Sequence, residues 1–129
     1  MPSKREPLNE EAIRILDRFS AGEVNLSVPD LFWPEIGDVL WKCARTGRIS
    51  EKSAYEGIDW LLALKIPTTP TFLLLGDAMI IAATLERTVY DCLYIALAMA
   101  SNCHLLTADE RLANAVHRHF PVLWLGAVV

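Results

Sequence analysis

From Arg87 to Leu112 the chain reads RTVYDCLYIALAMASNCHLLTADERL: a helix, a short strand and a second helix, with Asp91 and Asp109 at the boundaries between them. The rest of this frame is almost wholly apolar. A carboxylate taken out of water is costly unless it is paired, hydrogen-bonded or bound to a metal. Two of them at element boundaries near one sheet edge therefore point to a cation site, and Glu35, far upstream, is a third acid that could join it.

The remaining sequence repeats the alternation of α and β. Asn9 suits a cap, Glu10 and Glu11 suit the positive end of a helix, and Ala12, Ile15, Leu16 and Phe19 form its apolar stripe before Gly22. Val24, Leu26 and Val28 alternate with Asn25 and Ser27 as a strand that Pro29 should stop. A second helix is expected from about Leu31 to Arg45, closed by Gly47. Ser50 should cap a third through Leu64, with Tyr55, Ile58, Leu62 and Trp60 on its apolar face. LKIPTTP is a brief strand or link, since Pro67 and Pro70 forbid a longer one. A fourth helix from Thr71 to about Glu86, a fifth from Thr88 to Ser101, the strand HLLT, a sixth helix after Asp109 and the strand VLWL complete the chain.

This order predicts an α/β fold: a three-layer αβα sandwich with a mostly parallel central sheet and ligands outside the carboxyl ends of its strands. The 129 residues fit a single domain, residues 1–129, with no internal repeat. Hydrophobic residues make up 53% of the chain, and mean hydropathy is +0.28. So apolar a surface suggests a permanent partner or a homodimer. The formal charge of −4 argues against indiscriminate gripping of nucleic acid through a broad basic face. It leaves room for a local acidic cluster whose sign a divalent cation would reverse. Cys43, Cys92 and Cys103 are odd in number and form no C-x-x-C pair, which fits a reducing cytoplasm. The start MPSKREPLNEE has no signal-type apolar core, and no run reaches the roughly 18 residues of a membrane span. Neither export nor membrane insertion is expected.

Metal-assisted hydrolysis of a phosphodiester needs carboxylates converging from different elements, because Mg²⁺ prefers hard oxygen ligands. Each acid also has a purely structural explanation. Thr88 to Asp91 is arranged like a capping box, and Thr107 to Glu110 repeats the pattern with Asp109 near a positive helix end. Glu35 shares a helical face with Asp38, Lys42 and Arg45, as a solvated face would. The conjunction favours a site: all three acids border strand ends on the side where an open α/β sheet binds its ligand.

VPDLFWPEIGDVLWKCARTGRIS followed by TVYDCLYIALAMASNCHLLTADERLANA resembles the PIN-domain family, specifically the VapC-type toxin ribonucleases. The similarity runs in order over nearly the whole chain, and the pairing of YD-x-x-Y-x-A-L-A with L-x-T-A-D is its most discriminating part. The resemblance implies a Mg²⁺- or Mn²⁺-dependent endoribonuclease of a toxin–antitoxin pair. Glu35, Asp91 and Asp109 would hold metal around an activated water, with Thr107 as a supporting hydroxyl. Asp38, where many relatives carry Asn, would be an additional acid. The implied partners are RNA, a second copy and a small antitoxin laid across the acidic groove. Phosphate contacts fall to Lys42, Arg45, Arg87 and Arg111, arginine suiting phosphate by its planar fork.

One departure stands out. The family opens with a hydrophobic strand ending in the first metal-binding aspartate, and MPSKREPLNEE replaces it. That strand normally lies between VNLSV and HLLT, so its loss exposes unpaired backbone at the sheet centre. The flanking strands would then pair directly, or the tail GAVV or a second molecule would fill the gap, or the true start lies upstream. Weak or no cleavage is expected, and a scaffold that only binds antitoxin or RNA is the alternative. Other chemistry finds little support. Cys103, His104, His117 and His119 lack the paired spacing of structural zinc sites. No phosphate-binding glycine loop or G-x-S-x-G is present.

Overall fold

The computed structural model describes residues 9–107, 110–116 and 119–124. In chain order its elements are α1 (Asn9–Ser20), β1 (Val28–Pro29), α2 (Phe32–Arg45), α3 (Glu51–Ala63), β2 (Thr68–Thr69), a 3-10 turn (Thr71–Leu73), α4 (Leu75–Leu85), α5 (Val89–Ala100), β3 (Leu105–Thr107), α6 (Glu110–Val116) and β4 (Val122–Trp124). β1 pairs in parallel with β2, and β3 in parallel with β4. Helices joining parallel strands give the α/β class expected from the alternation, with less sheet than the sequence suggested. Among the described residues the flanking strands do not pair directly with each other, since β1 and β3 lie in separate two-stranded sheets. The tail GAVV lies outside the described residues. The chain divides into two compact units, Leu26–Leu73 and the larger remainder.

The larger unit is built on α5. Cys92, Leu93, Ile95, Ala96, Leu97 and Ala98 are all buried, the pattern of a helix apolar on every side and enclosed by its neighbours. α4 packs against it and buries Ala78 and Ile81. The two helices are joined by Glu86, Arg87 and Thr88. Glu86 adopts the left-handed conformation (φ 55°), letting the Arg87 amide donate back to the Ala82 carbonyl. At its other end α5 closes in the same way: Asn102 is left-handed (φ 56°), and Cys103 N–H donates to the Ala98 carbonyl at 2.9 Å. The chain then enters β3, where Leu105 N–H donates to the Pro121 carbonyl at 2.7 Å. The register sets Leu105 beside Val122 and Thr107 beside Trp124. α6 packs on both strands and buries Leu112 and Ala113. α1 places Ile15 inside and ends at Gly22, whose φ of 78° most other side chains would resist.

In the smaller unit the strand expected over Val24 to Val28 shrinks to Val28–Pro29. The reason lies in its partner. β2 has two residues bounded by Pro67 and Pro70, so the ladder is limited to Val28 N–H on the Pro67 carbonyl (3.0 Å) and Asp30 N–H on the Thr69 carbonyl (2.9 Å). Pro29 sits between these two donors, where its own missing N–H would face away from β2. It therefore belongs to the strand instead of ending it.

α2 and α3 pack together, and Gly57 allows the approach: a Cβ built there would lie 3.6 Å from Leu40 Cδ1. The buried positions of α3 are Ala54 and Leu61. The apolar face expected through Tyr55 and Leu62 is therefore offset by one residue. Ala54, Ile58 and Leu61 follow the i, i+4, i+7 line, while Tyr55 and Leu62 lie about 100° around the helix and remain exposed. The single helix expected from Thr71 to Glu86 is also divided. Asp30 Oδ1 accepts the Thr71 N–H at 3.0 Å, tying the 3-10 turn to the end of β1, and regular α-helix begins only at Leu75.

Candidate active site

Asp91 occupies the third position of α5. Thr88 caps that helix with its hydroxyl accepting from Asp91 N–H at 3.1 Å, and its own backbone is extended (ψ 153°). The expected cap is present, but the carboxylate turns elsewhere. Asp91 Oδ2 lies 3.5 Å from Arg87 Nη1, one helical turn back. The Asp91 side chain is 50% exposed, although six of the next seven residues of α5, beginning with Cys92, are buried. An exposed acid is thus anchored at the start of the most enclosed helix among the described residues. Burial pushes the adjacent Cys92 thiol above its usual range; the Asp91 charge acts in the same direction and Arg87 opposes it.

Arg87 was expected to contact phosphate and here serves Asp91 as a counter-charge, screened by solvent. Thr107 is the last residue of β3. Arg111 is exposed on α6. Asp109, between these two, lies outside the described residues, as does His117.

The other acids stand on α2, in the smaller unit. Glu35 is exposed in the first turn, where the positive helix end favours a carboxylate. Leu31, the residue before this helix, supplies no side-chain cap. Asp38 pairs with Lys42 at 2.9 Å across one turn, both side chains more than half exposed. Arg45 lies over the Trp41 ring, 4.9 Å from its centre. Lys42 and Arg45, both expected to meet phosphate, thus already have neighbours on their own helix. Among the described residues no three His, Cys, Asp or Glu side chains are grouped as a metal ion requires. Asp109, the third acid of the expected set, is not among them.

Two positioning residues escaped the sequence reading. Asp30 joins β1 to the 3-10 turn, and Trp33 donates its indole N–H to Thr68 Oγ1 at 3.1 Å while its ring meets Phe32 edge-on at 5.0 Å. The only signal was local: an aspartate directly after a strand proline is a common turn residue. Among the described residues no helix is long and apolar enough to cross a membrane.

The family model for the PIN domain matches residues 3–117. Among curated proteins, the ribonuclease VapC3 of Pyrobaculum aerophilum is 34% identical over 118 residues, covering 88% of this chain and 86% of that protein. Ribonuclease VapC9 of Mycobacterium tuberculosis is 32% identical over 97 residues, 75% of each chain. Ribonuclease VapC1 of the same organism is 33% identical over 96 residues, covering 69% of this chain and 66% of its own. With a match over nearly its whole length and relatives at this identity, the chain belongs to the PIN domain family.

Proposed function

We propose that this chain, acting as a single domain, is an endoribonuclease of toxin–antitoxin type that hydrolyses RNA phosphodiesters with the help of a divalent cation, Mg²⁺ or Mn²⁺. The observation that carries the reading is Asp91: a half-exposed carboxylate on an otherwise enclosed helix, in a chain whose relatives are named ribonucleases. Glu35, Asp91 and Asp109 are the proposed ligands, with Asp38 as an added acid and Thr107 as a hydroxyl beside them. Their hard carboxylate oxygens suit either ion. A cation held there would supply Lewis acidity and a water of lowered pKa.

The chain's own part is to fix Asp91 through the Thr88 cap and to present cations to the RNA backbone. Arg87 and Arg111 flank one proposed acid pair, and Lys42 and Arg45 share the helix of Glu35. The proposed setting is the cytoplasm, with a second copy of the chain and a small antitoxin protein as partners.

The test is cleavage of end-labelled RNA by the purified chain in Mg²⁺, in Mn²⁺ and in excess chelator. Asp91→Asn and Glu35→Gln should each lower the rate by about 10²-fold or more, since both remove a ligand charge while keeping side-chain size. Metal-dependent cleavage left intact in both variants refutes the assignment.

A second reading is a scaffold that binds RNA or antitoxin without cutting. It is favoured by the two ion pairs already made, Arg87 with Asp91 and Lys42 with Asp38, which reduce the negative charge open to a metal. Mn²⁺ titration separates the readings: saturable binding lost in Asp91→Asn supports the enzyme, and no binding supports the scaffold.

A further inference from the structure

The end of α2 and the start of α3 gather positive charge. Between Trp41 and Lys52 the chain carries Lys42, Arg45, Arg48 and Lys52 against the single acid Glu51, a local charge of +3 in a molecule whose net charge is −4. All four cations are exposed. Lys42 is engaged with Asp38, but among the described residues Arg45, Arg48 and Lys52 have no carboxylate partner. The backbone holds this turn in shape. Arg48 N–H donates to the Cys43 carbonyl at 2.9 Å, Thr46 Oγ1 donates to the Lys42 carbonyl at 2.8 Å, and Ser50 caps α3. Lys52 stands in the first turn of α3, where the positive helix end disfavours a cation, so helix stability does not account for it.

Trp41 borders this charge and is 57% exposed. It lies about 100° around α2 from Leu40, whose side chain meets Gly57 of α3, so it points away from that helix contact. Its exposed neighbours one turn away are Asp38 and Arg45, and Arg45 lies over the indole, 4.9 Å from its centre. A single ring set among charges is unlike the apolar centre that a protein partner requires. It is the combination that grips a single-stranded nucleic acid: a flat surface for a base beside cations for the backbone.

We infer that Trp41 and Arg45 form a stacking subsite for an unpaired RNA base, with Arg48 and Lys52 on the adjoining phosphates. The inference rests on the ribonuclease reading and names the part of the substrate that this end of α2 holds. Indole and guanidinium are both planar, and a nucleobase stacks on either. With the rest of the chain net acidic, the field draws a polyanion to this turn. Trp41 stands about 9 Å along the helix axis from Glu35, the span of two to three stacked nucleotides at about 3.4 Å each. The subsite therefore holds RNA to one side of the proposed cleavage point, and it requires an unpaired strand because a base within a duplex has no free face to offer.

The experiment is fluorescence anisotropy of labelled oligoadenylate of about ten nucleotides with the full chain, in excess chelator so that binding is read without cleavage. Trp41→Ala should weaken binding at least about fivefold and leave its salt dependence unchanged, while Trp41→Phe restores most of the affinity. Arg45→Ala should weaken binding and lower the slope of log affinity against log salt by about 0.7, one phosphate contact on a single strand. Trp60→Ala, the loss of an exposed tryptophan elsewhere on α3, should change nothing. Helical circular dichroism should be the same throughout. A parent that binds no oligoadenylate overturns the inference, as does Trp41→Ala with unaltered affinity or equal weakening by Trp60→Ala. So does equal affinity for a strand of abasic sites. Cleavage in Mg²⁺ is read separately: a parent that cuts RNA while Trp41→Ala binds normally defeats the subsite alone, and a parent that binds through Trp41 and cuts nothing defeats only the nuclease reading.

Discussion

α5 and α2 each carry one of the proposed acids near the start of a helix, yet they are built differently. α5 has six buried residues and a side-chain cap. α2 has no fully buried residue and no side-chain cap, and its apolar positions are partly covered or exposed. Asp91 is therefore held by a helix that cannot move without opening a core. Glu35 stands on one that packs chiefly on α3 and is tied to β2 through the Trp33 indole. An acid on an enclosed helix is preorganised, while an acid on a thinly packed one can shift when a ligand arrives.

The strongest way to break this contrast is to empty the core beneath each acid. Ile95→Ala removes a fully buried side chain and should cost about 3 kcal/mol in urea unfolding, whereas Leu40→Ala, only half-buried on α2, should cost about 1 kcal/mol. Equal losses would show that the two helices are equally well packed.

Alkylation tests the same difference chemically. Cys92 is buried with its thiol pushed upward, while Cys43 on α2 is only half-covered. Near neutral pH Cys43 should react with iodoacetamide at least about tenfold faster, since the thiolate is the nucleophile. The sign with pH follows from the shift. A folded-state value above the unfolded one means that Cys92 contributes stability in full below the unfolded value, and this contribution is lost as pH rises through the folded one.

Removing the cap is a smaller probe. Thr88→Ala should destabilise by about 1 kcal/mol and loosen Asp91 with it. The matching change on the smaller unit, Ser50→Ala, removes the Ser53 N–H acceptor of α3 and should cost a similar or smaller amount. Lys42→Ala should change stability least, within about 0.5 kcal/mol, because its pair with Asp38 is exposed at both ends. A loss above about 1 kcal/mol there would mean that α2 depends on its surface charges.

Helices were the legible part of this sequence, because capping and stripe signals are local. Ser50 and Thr88 cap where expected, and Gly47 ends α2 with a positive φ. Strand extent was not legible, because it is set by the partner: the alternation from Val24 to Val28 is real, but a two-residue β2 between prolines gives it little to pair with. The offset face of α3 has a similar origin. Residues 54 and 55, or 61 and 62, offer nearly the same pattern, and contact with α2 decides between them. In the candidate site, TVYD marks the capped Asp91, whereas its ion pair with Arg87 is not legible, since Arg87 falls in the link between two expected helices. Asp30 and the Trp33 indole were missed because their partners, Thr71 and Thr68, are 41 and 35 residues away.

Pro29 has a consequence beyond its place in β1. Since the amides of Val28 and Asp30 are spent on β2, the opposite rim of the strand reaches its midpoint at a ring nitrogen that has no hydrogen to give. Pro29 is itself fully buried, so an amide hydrogen at that point would enter a covered rim and need an acceptor that proline never requires. Replacing Pro29 with valine would restore the donor and, with it, the cost of satisfying that donor away from water.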